Sequence, residues 1–298
     1  MVDRVHRTVF EAMASHCEIR IATPDPQVAA ILAQQAVAEV RRIETRYSRY
    51  RPDSVVSRIN AAAGDEWVSC DAETVALLDY ANTLYLSSGG LFDISSGVLR
   101  RAWDFRHAQV PSPEVLTPLL ALVGWRRVQR DGDRVHLPQA GMEIDFGGFG
   151  KEYAADRAAT LLTELGVWHG YVNLGGDMRF IGPQPDGEPW IIGIQDPRDP
   201  EGSVASIPVS QGALATSGDY ERYFDLDGQR YCHILDPRSG MPVSHWRSVS
   251  VLAPLAIAAG SCATIAMLKQ ADGLDFLEQS GMSYLAIDHA GRMRHRRT

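Results

Sequence analysis

The chain has 298 residues, 45% of them hydrophobic and 22% charged, with a formal net charge of −8, long enough to bury one large core or two interlocked ones. That acidic balance excludes an ordinary nucleic-acid binder, which carries a basic face to release counterions from phosphates. Four cysteines (Cys17, Cys70, Cys232, Cys262) stand far apart with no C-x-x-C pair, and they read as reduced thiols rather than a disulfide frame or zinc site. No run approaches the ~18 apolar residues of a membrane span, and Met1 to Arg7 lack the apolar stretch of a signal peptide. The sequence as given is expected to be cytoplasmic, or exported if a leader has been removed.

Residues 9 to 21 predict extended structure, with Cys17, Ile19 and Ile21 alternating against polar neighbours. Asp25-Pro26 offers an N-cap followed by proline at the first helical position, and Val28, Ile31, Leu32, Val40 and Ile43 mark a stripe running to about Arg46. Tyr47 to Ser54 breaks that period with two tyrosines and two arginines, and Pro52 disfavours helix at Arg51; this predicts a site loop. A second helix is expected from Asp71 to Ser88, stopped by Gly89-Gly90 and delivering Leu91-Phe92-Asp93.

Arg126 to Leu137 resembles a hairpin around Asp131-Gly132-Asp133. Met142 to Phe146 reads as a buried strand, and Gly147-Gly148-Phe149-Gly150 leads into a helix from Lys151 to Leu165 that ends at Gly166. Strand, glycine loop and helix together present backbone N–H groups to a phosphate. The loop is not a Walker A motif, because Glu152 rather than Ser or Thr follows Lys151. The plainer alternative is a glycine turn for tight strand-to-helix packing.

Further strands are predicted at 171–174, 178–181, 190–194, 205–209, 221–225, 229–235 and 248–253, then a helix at 255–269 and a strand at 284–287. Surface loops are expected at Pro183 to Pro189 and Asp196 to Gly202, and a frayed basic tail from Arg292 to Arg297. This order is too irregular for a doubly wound sheet. It predicts an α+β fold with mixed or antiparallel sheets and flanking helices, one domain over 1–298.

Two segments are dense in chemistry: Ala215-Thr216-Ser217-Gly218-Asp219-Tyr220, and His233-Ile234-Leu235-Asp236-Pro237-Arg238-Ser239-Gly240. Polar groups with competing hydrogen-bond demands are costly in a core, so their concentration suggests a site. Each fragment alone also has a structural reading: Asn173 to Asp177 as a hairpin turn, His233 as a strand histidine, Cys262-Ala263-Thr264 as small-residue packing.

Their joint order is more specific. Met13-Ala14-Ser15, Ser48 to Ser54, Gly90 to Asp93, Asp145 to Asp156, Asn173 to Asp177, Ala215 to Tyr220, His233 to Gly240 and Ser248 to Thr264 together resemble the ApbE family, the FAD:protein FMN transferases, over about residues 9 to 288. The resemblance implies an ApbE-like (T-fold-like) architecture that takes FAD as substrate and Mg2+ as metal. It implies transfer of FMN to a Thr or Ser of an acceptor flavoprotein, with release of AMP. By the same likeness Met13, Tyr50, Leu91, Phe92, Asp93, Asp145, Lys151 and Leu235 line the FAD site. Gly148, through its carbonyl, and Thr264, through its hydroxyl, reach the metal, and His233 activates the incoming hydroxyl.

One departure stands out. The family usually carries a metal-binding Asp four residues before the threonine, where this chain has Gly260, and Glu152 replaces a frequent glycine after Lys151. Two alternatives follow from that loss: an FAD-binding protein without transferase activity, or an FAD pyrophosphatase. Restoring the carboxylate as Gly260→Asp is expected to tighten Mg2+ binding.

Overall fold

In a computed structural model that describes residues 4–297, period-two side-chain alternation builds one eight-stranded sheet. Its spatial order is Arg4–Ala12, Ser15–Thr23, Gly170–Leu174, Asp177–Gly182, Gly212–Gly218, Trp246–Ala253, Ser283–Asp288 and Met293–Arg296, every neighbouring pair antiparallel. Val172, Leu174, Ala213, Ala215, Val249, Val251 and Ala286 enter the main core, whereas the intervening Tyr171, Met178, Phe180, Leu214 and Leu285 enter a second one. Alternation therefore gives the sheet two apolar faces. The second is covered by the hairpin Trp190–Asp196 and Asp199–Val209, through Trp190, Ile194 and Val209.

Helices cover the first face. Pro26–Tyr47 starts where Asp25 accepts the Gln27 N–H at 2.8 Å. Its buried stripe is Ala29, Ala33, Ala36, Val40, Ile43 and Tyr47, while Val28 and Ile31 are 43% and 56% exposed, so the expected stripe is rotated. Alanines rather than the larger residues face inward because this helix packs on Gly150–Glu164, itself lined by Ala154, Ala155, Ala158 and Ala159. A third helix, Ala256–Lys269, lies against Gly150–Glu164 and against the strands Gly212–Gly218 and Trp246–Ala253. Among the described residues no helix is long and apolar enough to cross a membrane.

The α+β class with antiparallel sheets stands, and several local expectations are corrected. Residues 9 to 21 form two strands, joined by a turn in which Met13 and Ala14 hold φ of 52° and 57°; neither is the Gly or Asn that signals such a turn. Met142 to Phe146 joins no ladder; in a strand's place the Asn60 side chain accepts from the Ile144 N–H at 2.7 Å and donates to the Ile144 carbonyl at 3.0 Å. Most of Asp196 to Gly202 belongs to the hairpin rather than to a loop. The basic end is an edge strand paired with Tyr284 to Ile287 instead of a frayed tail, and its charges discourage further strand addition. His233 and Leu235 follow the strand Gln229–Cys232 instead of lying in it. Val55–Ala61, Ile94–Arg101, Pro113–Leu120 and Gly273–Ser280 are helical without having been predicted, being too short for a 3.6-residue period to register. Of the opening stretch, Met1 to Asp3 lie outside the described residues.

Candidate active site

The glycine loop is fastened at both ends. At its start Asp145 accepts from the Gly147 N–H at 3.0 Å and forms an ion pair with Arg49. Arg49 in turn lies 5.0 Å from the Tyr50 ring centroid and donates to its hydroxyl at 3.0 Å. Tyr50 is 72% exposed, so one aromatic surface is held in place but left uncovered. In the middle, a Cβ added to Gly148 would meet Phe92 Cζ at 2.8 Å. Only glycine lets the loop settle on that buried ring, which stacks on Phe149 at 6.3 Å.

At the far end Lys151 pairs with the buried Asp177 at 2.9 Å and donates to the Gly175 carbonyl at 3.5 Å. Burial works against the ammonium charge, but Asp177, then Glu152 and Glu221, more than offset it and raise the Lys151 pKa. Burial also raises the Asp177 carboxyl, against the pull of Lys151; the close contact favours a charged pair. Glu152, next on the helix, is 7% exposed, and its Oε2 has no hydrogen-bond partner. Desolvation first, and then the nearby Asp177, push its carboxyl up to about 8.

The facing helix completes this end. A Cβ added at Gly260 would lie 2.7 Å from Glu152 Cγ and 2.8 Å from Cδ, and closer still to Oε1. Glu152 thus fills the space a side chain at 260 would need, so Gly260→Asp requires Glu152 to move. One turn on, the Thr264 hydroxyl meets Ser217 Oγ at 2.8 Å. One turn back, Asp156 accepts from the Ala256 and Ile257 N–H groups at 2.8 and 2.9 Å, capping a helix that has no local cap.

His233 lies within the field of Lys151 and of Arg222, whose carbonyl accepts the His233 backbone N–H at 3.0 Å. Surrounding protein first, then those two positive charges, lower its pKa from the usual 6.5. His233 is nevertheless exposed to solvent. The imidazole is unprotonated at neutral pH.

Of the predicted residues, Tyr50 and Asp145 stand at one end of the loop, joined through Arg49; Lys151 stands at the other, facing the helix that carries Thr264 through its neighbour Glu152, and His233 feels the Lys151 charge. Met13 joins the second through its hairpin tip. Its N–H donates to Glu44 at 2.6 Å and its carbonyl accepts from Ser15, while Ser15 and Lys151 both crowd Gly175. Leu235 packs with Val98, Leu99 and Leu116 and bridges Pro242. Leu91 and Phe92 are buried below the surface. Asp93 accepts from the Ser95 N–H and hydroxyl at 2.8 and 2.5 Å and from the Trp125 N–H at 3.0 Å, so its carboxylate holds the start of the 94–101 helix. The motif residue Asp219 is likewise structural, held by both Arg198 guanidinium nitrogens at 2.6 and 2.7 Å.

Asp177, Ser217 and Glu152 lie inside the motifs of the resemblance, which gives none of them an individual role. For Asp177 the signal is alternation, which turns it to the helix face opposite Met178. For Glu152 it is a charged residue heading the buried stripe Ala155, Ala159 and Leu162. Two surface concavities, one lined by Arg179, Leu252, Pro254 and Met282 and one by Thr160, Thr163 and Glu164, lie away from these groups. Among the described residues no three His, Cys, Asp or Glu side chains cluster to hold a metal unaided.

The ApbE family model matches residues 13–286. The chain is 32% identical to the FAD:protein FMN transferase of Treponema pallidum over 88% of this chain and 80% of that one, and 28% identical to that of Escherichia coli K12 over 95% and 85%. The ApbE protein of Thermotoga maritima superposes with a TM-score of 0.89 at 31% identity, covering 98% of this chain and 97% of that one. The apo flavinyl transferase ApbE of Pseudomonas stutzeri gives 0.88 at 28% identity, covering 100% and 96%. A match running from the first hairpin turn to the seventh strand of the sheet, with sequence and fold in agreement, means that this chain belongs to the ApbE family.

Proposed function

We propose that the chain, acting as one unit, transfers the FMN moiety of FAD to a Thr or Ser hydroxyl of an acceptor protein and releases AMP, with Mg2+ as its metal. The observation that carries this reading is the glycine loop from Asp145 to Lys151, pinned by Arg49 at one end and by Asp177 at the other, in a chain whose relatives are named FAD:protein FMN transferases.

The acceptor oxygen attacks the phosphorus on the FMN side of the diphosphate. A new P–O bond forms, the bond to the bridging oxygen breaks, and AMP leaves with that electron pair. The hydroxyl proton passes to the His233 ring, a step of a kind worth about 10²–10⁴ in rate. Lys151 sets a fixed positive charge beside oxygens that become more negative in the transition state, and Tyr50 offers a face on which a flat ring system stacks.

The residues present fit a hard cation, because Glu152 holds a buried oxygen without a partner beside the Thr264 helix and the Gly148 carbonyl follows the same loop. When bound, Mg2+ supplies charge that offsets the growing charge on the phosphate oxygens. Thr264 and Gly148 are the groups that would hold it by resemblance to the family.

The test is to incubate the purified chain with FAD, Mg2+ and an acceptor bearing a target Thr. The expected outcome is a covalent mass gain of FMN on the acceptor with AMP released. FMN and AMP released without that gain would identify a pyrophosphatase, and bound but intact FAD a carrier; either overturns the proposal. His233→Ala is expected to lower transfer by about 10²–10⁴ while FAD binding persists, and loss of FAD binding instead would assign His233 to substrate binding.

A further inference from the structure

Among the described residues, Glu152 Oε2 is the buried side-chain polar atom left without a hydrogen-bond partner. Buried carboxylates are ordinarily saturated, since an unpaired one forfeits the hydration of its charge. Its nearest cation offers no relief: Lys151 is already engaged by Asp177 and the Gly175 carbonyl. Protonation would neutralise the group but leave an O–H donor to be placed in the same dry space.

The side chain is also aimed. It lies against Gly260, in volume that any other residue at 260 would take. On a helix, positions four apart share a face, so Gly260 and Thr264 look the same way, and the Glu152 carboxylate lies one turn from the Thr264 hydroxyl. A carboxylate and a hydroxyl one helical turn apart are oxygen donors of the kind a hard divalent cation takes. Gly260 then leaves the room that the Glu152 side chain takes up from the neighbouring helix.

The geometry points to Glu152 as the acidic ligand of the divalent cation in this chain, reaching across from helix Gly150–Glu164 into the space left by Gly260. The inference rests on the proposed flavin-transferase reading for its substrate, since the remaining oxygens come from a diphosphate and water. It departs from the expectation that a carboxylate is missing: the carboxylate has changed helix.

Mn2+, whose free fraction is read by electron paramagnetic resonance, is the probe, titrated into the full chain with and without FAD, while FAD binding is followed separately by flavin fluorescence without metal. Glu152→Gln, which keeps the shape that packs on Gly260, is expected to weaken Mn2+ at least tenfold, with FAD affinity and thermal midpoint nearly unchanged. Glu152→Gly combined with Gly260→Asp is expected to restore Mn2+ binding to within a few-fold of the parent. Gly260→Asp alone is expected to lower the thermal midpoint, because its Cβ meets Glu152. Equal Mn2+ affinity in Glu152→Gln and the parent, or no Mn2+ binding by the parent in either condition, would overturn the assignment. Failure of the parent to bind FAD would overturn the transferase reading instead, and the metal titration on the chain alone would still decide Glu152.

Discussion

Glu152 and Asp156 lie one turn apart on the same helix and are equally buried, each 7% exposed, yet their surroundings differ completely. Asp156 takes two backbone N–H groups at the start of the Ala256–Lys269 helix and has Arg179 at 3.3 Å. Glu152 faces the same helix one turn further along and leaves Oε2 without a partner. Burial raises the pKa of both carboxyls, so burial does not separate a structural acid from a functional one. Hydrogen-bond saturation does.

The largest effect that tests this contrast is expected at Asp156. Asp156→Ala leaves two buried N–H groups at the start of a helix without an acceptor, while Arg179 keeps the Phe180 and Gly212 carbonyls; the cost is about 3 kcal/mol, read as a lower urea midpoint, and an unchanged midpoint would erase the distinction. Lys151→Ala comes next. It leaves the buried Asp177 without its cation, and since the lysine end is partly solvated the expected loss is about 2 kcal/mol. Glu152→Gln should move stability by less than about 1 kcal/mol, because no internal partner is lost; a loss as large as that of Asp156→Ala would show a hidden structural bond.

The smallest effect is a surface control. Glu73 is also saturated, by hydrogen bonds from Arg42 at 2.7 and 2.8 Å and from Tyr153 at 2.7 Å. Those from Arg42, against the opposing effect of burial, hold its carboxyl down to about 2. A folded pKa below the unfolded value of about 4.3 means stability that is present above that pH and lost as pH falls toward about 2. Because the pair is open to solvent, no more than about 1 kcal/mol is expected. Urea midpoints at pH 5 and pH 2.5 should differ less in Glu73→Gln than in the parent.

The contrast also marks what sequence reading reaches. The caps at Asp25 and Asp71 are local devices, with acceptor and donor two or three residues apart, and both helix starts were legible. The site motifs were legible as a set because their order is specific. The Asp156 cap joins residues 100 apart, and the Asn60 amide that stands in for a strand beside Ile144 does so across 84. No local periodicity carries such pairings. The Asp93 cap on a short helix was not legible, because its motif specifies a position in the fold without specifying what the carboxylate touches.

Residue 156 meets 256 while residue 152 meets 260, so the two helices run past each other in opposite senses like the rails of a ladder with matched rungs. A rung has two ends, and a side chain hung from either rail reaches the same point. Spatial address and sequence address are therefore separable here. A column-by-column comparison of chains would score an acid as deleted at one position and an oddity as inserted at another, although the charge has moved only across the gap between neighbouring rails.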